Sequence, residues 1–464
     1  MKKGIIVFFL LSLVSIQAQN KKILYGFDKI PQGLLLNPGQ ESSYRYHVGI
    51  PLLSNIYANA NISGITLAEV FGDDSVGAFE GTDFNEKVAN ALNNLGDKDY
   101  ISASAQVEVA NFGYKINRRD YLTVGFYEEV DVFVGFPKDL LTLGYEGNAD
   151  YLNKAFSVSG VAVKAEALGV LHAGVTRRFN NGFTAGARLK IYSGAINVTS
   201  VNNKGSFVTT QGVEGIYRHT LSNLEAGVKS AGFYDEDGEF IEPTVGDVLG
   251  NTFFGKNLGL GIDVGITYHF SEQLELTASL LDVGFVNYSK NIRRATVEGD
   301  YSFSGIDFEY EGDTNYFEEL KDDFSENVAY DDENTDSYTV LRPIKFNSSL
   351  RYSFGKSRYL ATCHDIRKKD YFDNAVGAQL FAIARPYGLR MALTGFYERK
   401  FADFLNTKIT YTIDDFSASN IGLGISTNIW KFNVYGMVDN VFKLGDITDA
   451  HTVSAQFGIN FIMN

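Results

Sequence analysis

Cysteine is nearly missing from this chain. Cys363 is the only one, so no intrachain disulfide can form, and no cysteine stands near the N-terminus to carry a lipid anchor. Proline is scarce, with seven in 464 residues, which leaves long stretches free to form backbone ladders. Beyond the first eighteen residues, no apolar run approaches the roughly 20 residues that a membrane-spanning helix needs. No basic stripe appears either. Lys and Arg number 41 against 56 Asp and Glu, a net charge of −15, which argues against nucleic acid as a partner. Of the histidines His47, His172, His219, His269, His364 and His451, none has ligand spacing with another His or Cys, so no metal site is expected. No cofactor loop is expected: Gly259-x-Gly261 has its next glycine at Gly265, the wrong spacing, and no helix pattern follows.

What is present begins with an export signal. Lys2 and Lys3 precede the apolar run Ile5 to Val14, and Ile16-Gln17-Ala18 offers a cleavage site before Gln19. Residues 1–18 are therefore expected to be removed, leaving 19–464 as one domain. Loss of the two lysines leaves 39 basic residues against 56 acidic, a net charge of −17. The composition, with 46 Gly, 27 Tyr and 36 Phe, suits strands and tight turns better than helices.

The deciding pattern is period two. Leu258, Leu260, Ile262, Val264, Ile266 and Tyr268 fall on one face of an extended chain, with Gly259, Gly261, Asp263, Gly265 and Thr267 on the other. This run has eleven residues, and a tilted strand needs about 9–11 to cross a bilayer. The alternation recurs at Ile101–Val109, Phe183–Ile191, Val376–Ala384, Ile421–Ser426 and Val453–Met463. Asn117–Asp120, Asn180-Asn181-Gly182, Ser271-Glu272-Gln273 and Gly355-Lys356-Ser357 separate runs as hairpin turns. The fold class expected is all-β: a transmembrane antiparallel up-and-down β-barrel of about 14 strands, with 16 as the alternative. Arg188, Lys190, Asp263, Gln379 and Arg385 fall on the polar faces and are the candidates for the lumen.

Three insertions interrupt the hairpins. Thr66–Asp99 reads partly as helix, with Val88, Leu92 and Leu95 at helical spacing, and Lys138–Phe156 reads similarly. Asp313–Ser337 is acidic and reads as a solvated loop. Its Asp332-x-Asn334-x-Asp336 lacks the glycine and distal glutamate of a helix-loop-helix calcium site. Glu128 breaks the apolar face of Leu122–Phe136; against lipid it would cost of order 1–3 kcal/mol. A bulge, a partner or a place near the membrane interface would each relieve that cost, and the neighbouring Glu129 and Asp131 favour the interface. A phase slip at Leu280-Leu281-Asp282 predicts a bulge.

Four stretches, Pro31–Gly39, Val48–Ser54, Lys256–Gly265 and Leu281–Asn291, together resemble a family of Bacteroidota outer-membrane barrel proteins that has no established function. The turn Asn37-Pro38-Gly39 is similar to the Asn-Pro-Ala turn of the fatty-acid-transporter (FadL-like) barrels, with Gly39 in place of their alanine. That resemblance implies that Gln19–Gln40 folds into the barrel as a plug. The final aromatic residue usual in outer-membrane barrels is absent, Phe461 standing three residues short of the end.

Three functions are compatible with such a barrel. The first is binding or transport of a small hydrophobic or amphipathic molecule. The second is a subunit that docks protein partners of an outer-membrane assembly. The third, an enzyme, would need His172, His269 or the His364-Asp365 pair, and no triad pattern supports it; no catalytic residue is assigned. Lipid and lipopolysaccharide of the Gram-negative outer membrane are the expected surroundings.

Overall fold

The computed structural model describes, in the main, residues 21–66, 82–304, 328–356 and 372–463, with short omissions at 181, 213–216, 236–237, 254, 256, 415 and 418. The signal segment, Cys363, His364 and Asp365 lie outside the described residues, as does most of 305–327.

Fourteen antiparallel strands close into a barrel. The first wall strand is broken into β1 (Tyr46–Gly49) and β2 (Ile56–Ile62), and both pieces pair with β3 (Asp99–Lys115) and with the last strand, β20 (Thr452–Met463). That double pairing is the closure. From β3 the wall continues through β4 (Asp120–Phe136), β6 (Ala162–Arg178), β7 (Phe183–Gln211), β9 (Asn257–His269) and β10 (Leu274–Tyr288). The next wall strand is again broken, into β13 (Tyr338–Leu341) and β14 (Lys345–Lys356). Then come β15 (Phe372–Arg385), β16 (Gly388–Ala402), β17 (Leu405–Ile413), β18 (Asn420–Ile429) and β19 (Phe432–Val438), which returns to β20. The two breaks hold Pro51 and Pro343, residues that cannot donate to a ladder.

Among the described residues, five pieces of strand leave the wall. The far half of β7 pairs with β5 (Ala155–Ser157) and β8 (Tyr217–Ala231), β8 pairs with β11 (Ile292–Phe303), and β11 pairs with β12 (Ala329–Asn334). Part of the acidic insertion is therefore an edge strand where a solvated loop is expected from its charge. Ladder pairing with β11 overrides the weak strand propensity of Asp and Asn.

The two ends differ. At one, hairpins such as 116–119, 179–182, 270–273 and 430–431 are short; at the other lie the insertions, with helices α1 (Thr82–Asn94), α2 (Lys138–Tyr145) and α3 (Val245–Thr252). The first two fall where helical spacing predicts them; α3 does not. Along every wall strand exposure alternates. On β9 the residues Leu258, Leu260, Ile262 and Val264 point outward, while Asp263 and Thr267 are buried inside. Tyr114, Phe179, Phe270, Phe404 and Trp430 are exposed near the short turns. The predicted slip appears as a register shift between Leu280 and Val283, with Asp282 at φ 60°.

Glu128 lies on the outer face and is half-buried. The Thr252 hydroxyl at the end of α3 donates to its Oε1 at 3.0 Å. A protein partner, absent from the alternation pattern, therefore relieves the apolar face, since α3 lies against the outside of the wall.

Candidate functional site

Residues 21–40 enter the lumen from the short-turn end and are almost wholly buried. The segment is held mainly by its own backbone. Gln379 Nε2 and Lys408 Nζ donate to the Tyr25 carbonyl at 2.9 and 2.6 Å. The Tyr44 hydroxyl donates to Lys29 O at 2.7 Å, Ser279 to Leu36 O at 2.6 Å, Thr176 to Pro38 O at 2.6 Å and Thr267 to Gly39 O at 2.9 Å. Arg188 reaches the Leu34 and Leu35 carbonyls. Inward Ser, Thr, Gln, Lys and Arg side chains, together with Tyr44, thus satisfy plug carbonyls that the segment's own turns leave open, as buried backbone requires. Two side chains of the plug bind as well. Gln32, fully buried, exchanges amide hydrogen bonds with Asn460 and donates to Glu108 at 2.8 Å. Lys22 pairs with Asp414 at 2.9 Å. Ile23, Leu24, Phe27, Ile30 and Leu36 form an apolar seat against Leu281, Tyr435 and Met437.

The Asn37-Pro38-Gly39 turn sits in a notch of the wall. The Gly39 N–H donates to Asn37 Oδ1 at 2.8 Å, and Asn37 Nδ2 donates to Ile266 O at 3.2 Å. Gly186 and Gly265 face each other across β7 and β9. A Cβ on Gly186 would overlap Pro38 O, and one on Gly265 would overlap Asn37 Oδ1. A Cβ on Gly39 would in turn overlap Gly265 O, which is why glycine stands there and alanine does not fit.

Above the turn runs a connected set of eight charges. Arg188 and Lys190 pair with Asp263 at 3.1 and 2.9 Å, and Lys190 pairs with Asp282 at 2.6 Å. Lys345 bridges Asp282 at 2.9 Å and Glu129 at 3.7 Å. Arg342 joins Glu129 at 2.8 Å and Glu166 at 2.5 Å. Four cations meet four carboxylates, so the set is neutral. Each charge lost from water regains a partner, and without that balance burial would cost several kcal/mol per ion. The bulge in β10 matters here: it turns Asp282 inward, where its N–H also donates to Asp263 Oδ1 at 2.7 Å. A second group joins Arg351 to Asp28 of the plug at 3.4 Å and to Glu398 at 2.9 Å.

Of the lumen candidates read from the sequence, Arg188, Lys190 and Asp263 lie together in the eight-charge set. Gln379 lies apart, on the Tyr25 carbonyl. Arg385 lies nearer the long loops, where both its terminal nitrogens reach the Asp131 carboxylate, one of them at 2.9 Å. Pattern reading missed Glu129, Glu166, Asp282, Arg342 and Lys345. Inward parity would have found Glu166. The others follow a bulge, a proline break or an apparent acidic cluster that hides their facing. His172 is buried on the lumen side beside Tyr127, and His269 lies 3.5 Å from both Glu41 and Glu275. Neither is near the other. Among the described residues no group of three His, Cys, Asp or Glu could hold a metal ion.

The long-loop half of the lumen is closed by side chains. Tyr100, Phe133 and Phe416 pack together with Tyr387 against them. Tyr127, Tyr192, Tyr288 and Tyr338 pack with Val170, Val286 and Val340. Beside the first group is an open cleft of about 350 Å³ lined by Asn59, Asn61, Tyr100, Arg385, Arg390 and Phe416. A second, narrow cleft lies within the wall itself, where β7, β9 and the ends of β8 and β10 meet. Gly194, Ala195, Gly232, Asn257 and Asn291 line it, and Asn251 of α3 covers it.

No curated protein matches this chain. Among solved structures it is similar to a Pseudomonas aeruginosa FadL homologue, at 10% identity and TM-score 0.45 over 97% of this chain and 100% of that one. It is similar to the Ralstonia pickettii toluene transporter TbuX at 9% identity and TM-score 0.43, over 95% of this chain and 99% of that one. The Pseudomonas putida toluene transporter TodX is similar at 10% identity and TM-score 0.36, over 97% of each chain. A sequence model described as "Family of unknown function (DUF5723)" matches residues 38–439, from the plug turn through the end of the penultimate wall strand, and the chain belongs to that family.

Proposed function

We propose that this protein is an outer-membrane barrel that binds a small hydrophobic or amphipathic molecule and passes it across or sideways into the membrane. The observation that carries the reading is how the plug is held. Wall side chains grip main-chain carbonyls from Tyr25 to Gly39, so the segment is bound as a guest within the lumen. The hydroxyl and amide contacts among these contribute modestly each, about 0.5–1.5 kcal/mol, while Lys408 and Arg188 grip with charge, at about 1.5–3 kcal/mol. With the plug seated, the axis is blocked, which disfavours an open porin. The cleft in the wall at Gly194 and Gly232 supports a sideways route. The outward apolar rows and the exposed aromatics near the short turns, read as an interfacial girdle, support lipid and lipopolysaccharide as surroundings. The inward Arg188, Lys190, Asp263, Gln379 and Arg385 act in this reading as holders of the plug and lumen, with no catalytic step.

A second reading, a docking subunit of a larger assembly, is favoured by the sheet of β5, β7, β8, β11 and β12. That sheet projects beyond the barrel and is not needed to close it.

Native mass spectra of the tagged protein, extracted gently from its own membrane, separate the two. A reproducible small added mass, such as a fatty acid or lipid, is expected. A stoichiometric protein companion without a small adduct would overturn transport in favour of the docking subunit.

A further inference from the structure

Helix α3 is eight residues long and is closed at its start by a capping box. Thr244 donates to Asp247 through both N–H and hydroxyl, at 3.0 and 2.6 Å, and the Asp247 N–H donates back at 3.2 Å. These bonds hold the Asp247 carboxyl below its usual range. The only charge of the helix is thus committed to its first turn.

The rest of the segment lies against the outside of the wall. Ser193, which shares the outward parity of exposed Leu189 and Ile191, donates to Asn251 O at 2.9 Å and accepts from the Gly255 N–H at 2.7 Å. Thr252 is buried over Gly169, where any Cβ would overlap its carbonyl, and its hydroxyl reaches Glu128. Phe253 stacks on outward-facing Phe126 with ring centroids 4.7 Å apart.

Leu249 on the helix and Phe253 at its C-cap remain 42% and 52% exposed. The wall residues of the same row are Glu128, Gly169, Ser193 and Leu258 in register. Leu258 and Leu260 beside them belong to the outward apolar belt. The exposed face of the segment is therefore continuous with the surface that lipid covers.

We propose that the segment from Thr244 to Phe253 is an interfacial membrane element whose Leu249 and Phe253 side chains are covered by lipid acyl chains. An amphipathic helix lying in the plane of the interface buries its apolar face at the headgroup boundary while its polar end stays at the surface. The segment then does two things at one place: it shields Glu128 from lipid, and it roofs the wall cleft at Gly194. The inference rests on the reading of the barrel as a membrane protein, and it does not depend on what the barrel carries.

The test uses the full chain with its one tryptophan removed (Trp430→Phe), reconstituted into phosphatidylcholine vesicles with plain or brominated acyl chains. Phe253→Trp is the probe, Leu249→Trp a second, and Leu260→Trp the belt control. Heat-modifiable gel migration verifies that each variant is a folded barrel. The expected result is that F253W and L249W lose emission to bromine to the same degree as L260W and resist aqueous acrylamide. If acrylamide quenches F253W while bromine quenches only L260W, the face is in water and the proposal is overturned. Quenching of F253W by neither agent would mean that a protein, such as a second copy, covers the face, and would also overturn it. If L260W itself escapes bromine, the membrane reading fails first and takes the inference with it.

Discussion

Two segments that are not part of the barrel are held to opposite faces of neighbouring wall strands, with β7 common to both. Inside, the plug turn Asn37–Gly39 sits on β7 and β9; outside, α3 crosses β4, β6 and β7. Both dock where a glycine removes a Cβ: Gly186 and Gly265 inside, Gly169 outside. Both are held through main-chain atoms by wall hydroxyls, Thr176 and Thr267 within and Ser193 without. They differ in what remains uncovered. The plug is almost wholly buried by protein, whereas α3 keeps Leu249 and Phe253 open. The difference teaches that the lumen surrounds its guest with protein partners, while the outer segment leaves an apolar side to its surroundings.

The largest expected effect lies on the inner side. Asp263→Ala leaves Arg188 and Lys190, both buried, short of a shared carboxylate. Removing one member of a buried ion set costs about 3–5 kcal/mol because the other charges stay desolvated. Denaturant unfolding in detergent should show that loss. A change below about 1 kcal/mol, the range of an exposed surface pair, would mean that water fills this part of the lumen and that the inner side is not closed.

A smaller effect isolates the plug from the wall. Gly265→Val would drive a side chain into Asn37, with Gly39 N and Pro38 Cδ each 3.0 Å from its Cβ. Overpacking of this kind costs about 1–3 kcal/mol, and here the cheapest relief is release of the turn. Faster hydrogen exchange or proteolysis within residues 37–40 is expected, together with a rise in single-channel conductance. Gly436→Val is the control, since a Cβ there meets nothing within 4 Å. Unchanged exchange at the turn would show that the wall yields and the plug does not.

Much of this architecture is written in the period-two pattern, because a strand with one face outside the barrel and one in its lumen must alternate. Leu258–Tyr268 carries both faces in one row of residues, and so locates Asp263 inside. Arg188 and Lys190 are legible for the same reason. The rest is hidden wherever local backbone departs from the period. Asp282 changes facing at the β10 bulge, where only the slip is visible in sequence. Arg342 follows Tyr338–Leu341 but precedes Pro343, so no run of useful length displays its parity. Glu129 lies beside Glu128 and Asp131 and reads as part of one acidic cluster, although its carboxylate turns inward to Arg342 and that of Glu128 turns outward to Thr252. Helix α3 is short and leaves Leu249 exposed, so its spacing gives little sign of packing.

The smallest expected effect decides whether Glu128 depends on the outer segment. The Thr252 hydroxyl is shared between Leu249 O at 2.7 Å and Glu128 Oε1 at 3.0 Å. Thr252→Val keeps the shape and removes the donor, so a loss of about 0.5–1.5 kcal/mol is expected. Adding Glu128→Leu to that variant restores the apolar row from Leu122 to Phe136 and removes the acceptor that lacks a partner. In lipid the double variant should regain the lost stability, because neither polar atom then needs the other. A double variant no more stable than Thr252→Val alone would mean that Glu128 is solvated where it stands. The outer segment would then be a loop lying in water beside the barrel, and the symmetry between the two docked segments would end at their glycines.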